Sequence, residues 1–148
     1  IPMSYHEHMG TIIQSEEDVD KFMDKTNDKT YLLFDTGHMY FSEGTQESVD
    51  AIIDKHVDRI VHVHLKDVRE GVLKTLKEEK WSFLKGVNEG VFTIPGDGVV
   101  DFDHTFDVLA KVEYEGWMVV EAEQDPAKAN PLEYAIKARK FINEKTGL

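Results

Sequence analysis

Ile60-Val61-His62-Val63-His64-Leu65-Lys66-Asp67 is the stretch that decides the fold. Val61, Val63 and Leu65 alternate with His62 and His64, the period of a β-strand, so one face packs on helices while the other presents two imidazoles. A doubly wound sheet covers both faces of its strands with helices and rarely tolerates such a face. The interior of an α/β barrel, near the C-terminal ends of its strands, does. This stretch therefore predicts a parallel barrel.

Three more stretches repeat the arrangement: Ser4-Tyr5-His6-Glu7-His8, Leu32-Leu33-Phe34-Asp35-Thr36-Gly37-His38 and Trp117-Met118-Val119-Val120-Glu121-Ala122-Glu123. In the last, Glu121 and Glu123 share a face opposite Val120 and Ala122. Imidazole and carboxylate are ligands that a divalent transition ion accepts, and several strand ends meeting at one point is how a barrel builds a reaction centre. Together the four ends read as a metal site. Singly they are less specific: Asp35 serves equally well as a helix N-cap or a strand-end turn, and Glu121 inside a barrel needs a cation or hydrogen-bond donors.

Between the strands, Ser15-Glu16-Glu17-Asp18 opens a helix with Asp18 in the capping-box place and Val19, Phe22 and Met23 as its stripe; Thr26-Asn27-Asp28 ends it. Thr45 caps a second helix carrying Val49, Ile52, Ile53 and Val57, and a third runs from about Gly71 to Glu89. Pro95-Gly96-Asp97-Gly98 turns, Asp103 starts a helix with Phe106, Leu109 and Ala110, and Gly116 leads into the last strand. A closing helix from Pro131 to Lys145 points Leu132, Ala135, Ile136, Ala138, Phe141 and Ile142 inward. Four strand-helix units imply a parallel sheet with right-handed crossovers. A closed barrel needs eight strands and about 250 residues. The 148 residues are accordingly expected to form one domain over 1–148, half of a (β/α)8 barrel, and the start at Ile1 reads as a cut inside a larger protein.

Composition removes several alternatives. With 29 acidic against 17 basic residues the net charge is -12, which repels a phosphate backbone and argues against nucleic acid as partner. No apolar run nears the roughly 18 residues of a membrane span. The absence of cysteine suits a reducing cytoplasm and leaves His, Asp, Glu or water as metal ligands. Gly96-Asp97-Gly98 lacks the strand-turn-helix context of a dinucleotide site. His56 and His104 fall on helices, away from the strand ends, and read as structural.

Asp35-Thr36-Gly37-His38, His62-Val63-His64-Leu65-Lys66-Asp67, Ile94-Pro95-Gly96-Asp97-Gly98 and Val119-Val120-Glu121 resemble the second half of the xylose-isomerase-like barrels. More narrowly, His6-Glu7-His8-Met9-Gly10-Thr11 and the long string from Glu121 to Pro131 resemble the myo-inosose-2 dehydratases of inositol catabolism. The resemblance implies the C-terminal half of a barrel and one divalent ion, manganese or cobalt, on Asp35, His64, Glu121 and a first ligand. Where the superfamily usually has Glu this chain has His6, with Glu7 as the rival if a bulge intervenes. Glu121, Glu7 or His38 would supply base and acid. His8, His62, Lys66, Arg69 and Glu123 would contact a polyol or keto-cyclitol substrate, with Glu123 alternatively bonding a helix N-terminus or Lys128.

The implied reaction is dehydration of 2-keto-myo-inositol to a trihydroxycyclohexane-dione, a lyase step. An isomerase or epimerase on the same scaffold would share its enediolate. The non-enzymatic alternative is an inactive fragment. Half a barrel leaves two open strand edges, so association with the missing half or a second copy is expected. Replacing His64 or Asp35 by Ala is expected to remove the metal and spare the fold.

Overall fold

The structure, a computed structural model, describes residues 3–148; Ile1 and Pro2 lie outside the described residues. Four parallel strands form one sheet in the order β1 (Met3–His6), β2 (Thr30–Asp35), β3 (Ile60–Leu65), β6 (Trp117–Val120). Neighbours in sequence are neighbours in space, and helices fill the crossovers: α1 (Glu16–Lys25), α2 (Thr36–Glu43), α3 (Gln46–His56), α4 (Glu70–Glu79), α5 (Phe83–Asn88) and α6 (Asp103–Lys111), with α7 (Pro131–Thr146) closing the chain. This is the arc of strands expected of half a barrel. Among the described residues, β1 and β6 each have one strand neighbour.

The local signals explain most boundaries. Ser15 and Asp18 form a complete capping box at α1, and Asn130 caps α7 by accepting from Leu132 and Glu133 N–H groups ahead of Pro131. Leu32, Phe34, Val63 and Leu65 are fully buried under α1, α3 and α6 with Val19, Ile52, Ile53 and Leu109. The register slips by one residue between Leu32 and Leu33, which pair with Ile60 and His62. Val61 is thereby skipped and lies half exposed, while Asp35 comes level with His64.

Several expectations are corrected. The second strand leads straight into α2, a helix not expected ahead of the one capped by Thr45, and His38 stands in its first turn. The helix expected from Gly71 to Glu89 is two, parted by Lys80 in the left-handed conformation (φ 54°) and restarted by the Ser82 cap. A short antiparallel pair, β4 (Asp67–Val68) with β5 (Phe92–Thr93), interrupts the strand-helix alternation. Asp67 builds it: its carboxylate accepts N–H bonds from Val68, Gly96, Gly98 and Val100 at 2.7–3.1 Å, folding the Pro95–Gly98 turn onto β4. On α7, Leu132 and Ile136 point outward, 70% and 61% exposed, and Ala138 is the buried residue.

Candidate metal centre

Asp35 ends β2 and caps α2, and its two carboxylate oxygens divide these tasks. Oδ1 accepts the His38 N–H at 2.8 Å. Oδ2 faces His64 Nδ1 at 3.3 Å, His6 Nε2 at 3.5 Å and the Lys66 ammonium at 3.4 Å. Three strand ends thus deliver His6, Asp35 and His64 to one point, with potential ligand atoms all within 4.8 Å of one another. Burial would raise the Asp35 pKa, but the nearby His6 and His64 imidazoles and the Lys66 charge hold it well below the usual range. Glu121, just past β6, brings Oε2 to 3.0 Å from His64 Nδ1 and 2.9 Å from Lys66 Nζ. The His64 contact leads in drawing the Glu121 pKa down to about 2. Desolvation works against protonation of His64, yet Asp35 and Glu121 carry it to about 9.

A second cluster adjoins the first. His8, His38 and Glu123 also gather ligand atoms within 4.8 Å. His38 is fully buried in the first turn of α2, and burial lowers its pKa to about 3, so it is neutral. The His8 ring leans on it with centroids 3.9 Å apart. Lys66 links the two clusters: besides Asp35 and Glu121 it reaches Glu123 Oε2 at 2.8 Å and His38 Nε2 at 3.1 Å. All of this lies at the C-terminal ends of parallel strands, where barrels of this type place their chemistry.

The family model for the xylose isomerase-like TIM barrel matches residues 2–145. The chain belongs to that family. An inosose dehydratase of Glaesserella parasuis serovar 5 is 58% identical over 146 residues, 99% of this chain and 49% of that protein. Another, of Erwinia tasmaniensis, is 59% identical over 143 residues, 97% of this chain and 48% of that protein. The chain spans about half the length of the curated relatives it matches. Among solved structures, the IOLI protein with a binding zinc atom has a TM-score of 0.63 at 17% identity, covering 97% of this chain and 47% of that chain, a likeness of fold alone.

For a barrel of the xylose isomerase-like family, the donors suit a divalent ion. Two imidazoles and a carboxylate converge, with a further carboxylate beside them. Two of the four groups carry buried atoms that make no hydrogen bond, His6 Nε2 and Glu121 Oε2; the latter is close to two cations but aligned as a hydrogen bond with neither. Of the two rivals for first ligand, His6 is the one brought to Asp35. Glu7 turns inward, fully buried, and accepts the Asp35 backbone N–H at 2.7 Å. Burial and the nearby Asp35 charge raise its pKa well above the usual range.

Other expected site residues fall in different places. His62 stands beside His64, ring centroids 5.3 Å apart. Lys66 is wholly buried and so is a clamp on carboxylates, not an open cation; Glu123 bonds to it, while Lys128 donates to the Asn88 carbonyl. Arg69 spends its guanidinium on the Gly90 and Phe92 carbonyls, Thr93 and Asp97, tying down β5 outside both clusters. His56 and His104 pair with Asp20 and Asp54 on the helical layer. Sequence reasoning missed Thr36 and Gly37. The Thr36 hydroxyl donates to the Lys66 carbonyl at 2.7 Å and accepts its N–H at 3.0 Å. Gly37 leaves room for the Lys66 stem, since a Cβ there would come within 2.5 Å of Lys66 Cγ. A glycine second in a helix, following an N-cap Asp, was the available signal.

Proposed function

We propose that the whole protein carrying this chain is a metal-dependent hydro-lyase that dehydrates 2-keto-myo-inositol to a trihydroxycyclohexane-dione in inositol catabolism. The observation that carries this reading is the convergence of His6, Asp35 and His64, with Glu121 alongside, in a chain 58% identical to a protein named inosose dehydratase. On this reading His6, Asp35, His64 and Glu121 hold a divalent ion, manganese or cobalt. Such an ion supplies positive charge opposite the oxygens of an enediolate.

The chain's own residues do the rest. Elimination requires that a carboxylate take the proton from the carbon α to the ketone, while the β C–O bond breaks and the hydroxyl leaves, protonated, as water. Glu121 and Glu123 are the partly exposed carboxylates available, both held by Lys66. Glu7 and His38 are enclosed by the chain and act by holding Asp35 and Lys66 in place. His8 and His62, partly exposed imidazoles, face the cyclitol hydroxyls. The open edges of β1 and β6 are read as the junction with the rest of the barrel or with a second copy. A cytoplasmic setting suits the cysteine-free composition; no helix among the described residues is long and apolar enough to cross a membrane.

The test is turnover of 2-keto-myo-inositol by the full-length protein, stripped of metal and titrated with manganese or cobalt. A dione chromophore and the loss of one water from the product are expected. A product of unchanged mass points to an epimerase instead, and no turnover with any divalent ion overturns the reading.

A further inference from the structure

The second cluster has the composition of an ion site in its own right: two imidazoles and a carboxylate, ligand atoms within 4.8 Å. His38 Nε2 and Glu123 Oε2 stand 3.5 Å apart, a separation that suits two ligands bonded to one ion at about 2.1 Å. The Lys66 ammonium occupies the same space, 3.1 Å from the nitrogen and 2.8 Å from the oxygen. By triangulation, an ion bonding both atoms at about 2.1 Å would lie within about 3.5 Å of that ammonium.

Lys66 has no slack to withdraw. Its side chain is fully buried, its stem lies against Gly37, and both its backbone groups are bonded to the Thr36 hydroxyl. In the first cluster its contacts are with the carboxylates, Asp35 Oδ2 at 3.4 Å and Glu121 Oε2 at 2.9 Å, and among the described residues none is with His6 or His64, so the imidazole side of that cluster is the one left for an ion.

We propose that Lys66 is a resident cation that closes the His8, His38 and Glu123 cluster to metal. The protein then takes one divalent ion where its ligand types would otherwise permit two. A monovalent ammonium and a divalent ion so close, away from bulk water, exclude one another. Lys66 is thus a positioning residue that sets metal stoichiometry. This rests on reading His6, Asp35 and His64 as the ion site.

The test is cobalt binding by the metal-stripped full-length protein, read by equilibrium dialysis with elemental analysis and by anomalous diffraction. Wild type is expected to hold one equivalent, and Lys66→Met two, the second between His38 and Glu123. His8→Ala in the Lys66→Met background is expected to weaken the second ion at least tenfold and spare the first. Lys66→Gln, which keeps a polar side chain without the charge, serves if Lys66→Met does not fold. Two equivalents in wild type, or one in folded Lys66→Met or Lys66→Gln where wild type also holds one, overturn the proposal. If the first cluster is not an ion site, wild type holds none and Lys66→Met one, which separates the two failures.

Discussion

Asp35 shows how one side chain can satisfy two readings of a sequence. As an N-cap it was legible from Asp-Thr-Gly-His, and as a ligand from the strand ends; the structure gives one oxygen to each task. The expectation that Asp35→Ala spares the fold therefore needs amending. Ala removes the α2 cap, worth about 1 kcal/mol, and leaves Lys66 and His64 with less counter-charge. Asp35→Asn should keep the cap and lose the metal, and His64→Ala should likewise bind none. Elemental analysis beside urea unfolding checks this, and stoichiometric metal in either variant contradicts it. The buried imidazoles also predict a pH profile for metal-free protein. His38, lowered from 6.5 to about 3, favours the folded state above pH 6.5. That contribution, up to about 4 kcal/mol, is lost as pH falls from 6.5 towards 3. His64, raised from 6.5 to about 9, acts in the opposite sense. Its contribution, about 3 kcal/mol, is full below pH 6.5 and lost as pH rises through 9. Urea midpoints in chelator should thus peak near pH 6.5, and a flat profile from pH 4 to 9 contradicts both assignments. His6 is favoured over Glu7 on the pattern of the resembling barrels, and Glu7 stays open as the rival in the sequence because the choice depends on where β1 ends.

At the scale of elements, the helices with an amphipathic stripe or a polar cap could be read directly, as α1, α3 and α6 were. Helix α2 could not, because Thr36 to Phe41 are all buried and so carry no polar-apolar period. The break between α4 and α5 is a single left-handed Lys80, a backbone choice with weak sequence signature. The β4 and β5 pair escaped notice because it is held by one carboxylate and not by an apolar pattern. Asp67→Ala should orphan four N–H groups and cost about 3 kcal/mol or more. Asp67→Asn should cost less, since one oxygen remains an acceptor. Gly37→Ala should destabilise by about 2 kcal/mol even though Ala is the better helix former, because the added carbon strikes the Lys66 stem. A stabilised Gly37→Ala variant, measured by thermal unfolding, would show that Lys66 is free to move.

At the scale of the molecule, the sequence disclosed the parallel sheet and the half-barrel because histidines on one face of β3 are incompatible with a sheet covered on both sides. What covers the outward face of α7 was not disclosed; its Leu132 and Ile136 lie on the surface, as do Met3 on β1 and Trp117 on β6. We expect the isolated 17.0 kDa chain to self-associate at micromolar concentration, burying on the order of 2,000 Å². Leu132→Glu with Ile136→Lys should shift it towards monomer in sedimentation. A stable monomer of the unaltered chain would contradict the open-edge account. His6, Asp35 and His64 lie near the ends of three strands of this one sheet, and Glu121 directly follows the fourth. On the proposed reading, a recombination event that joined these 148 residues to a foreign complementary half would carry the candidate metal centre across as one piece. If that reading holds, exchanging the complementary half would alter what surrounds the metal centre while its four ligands are inherited together.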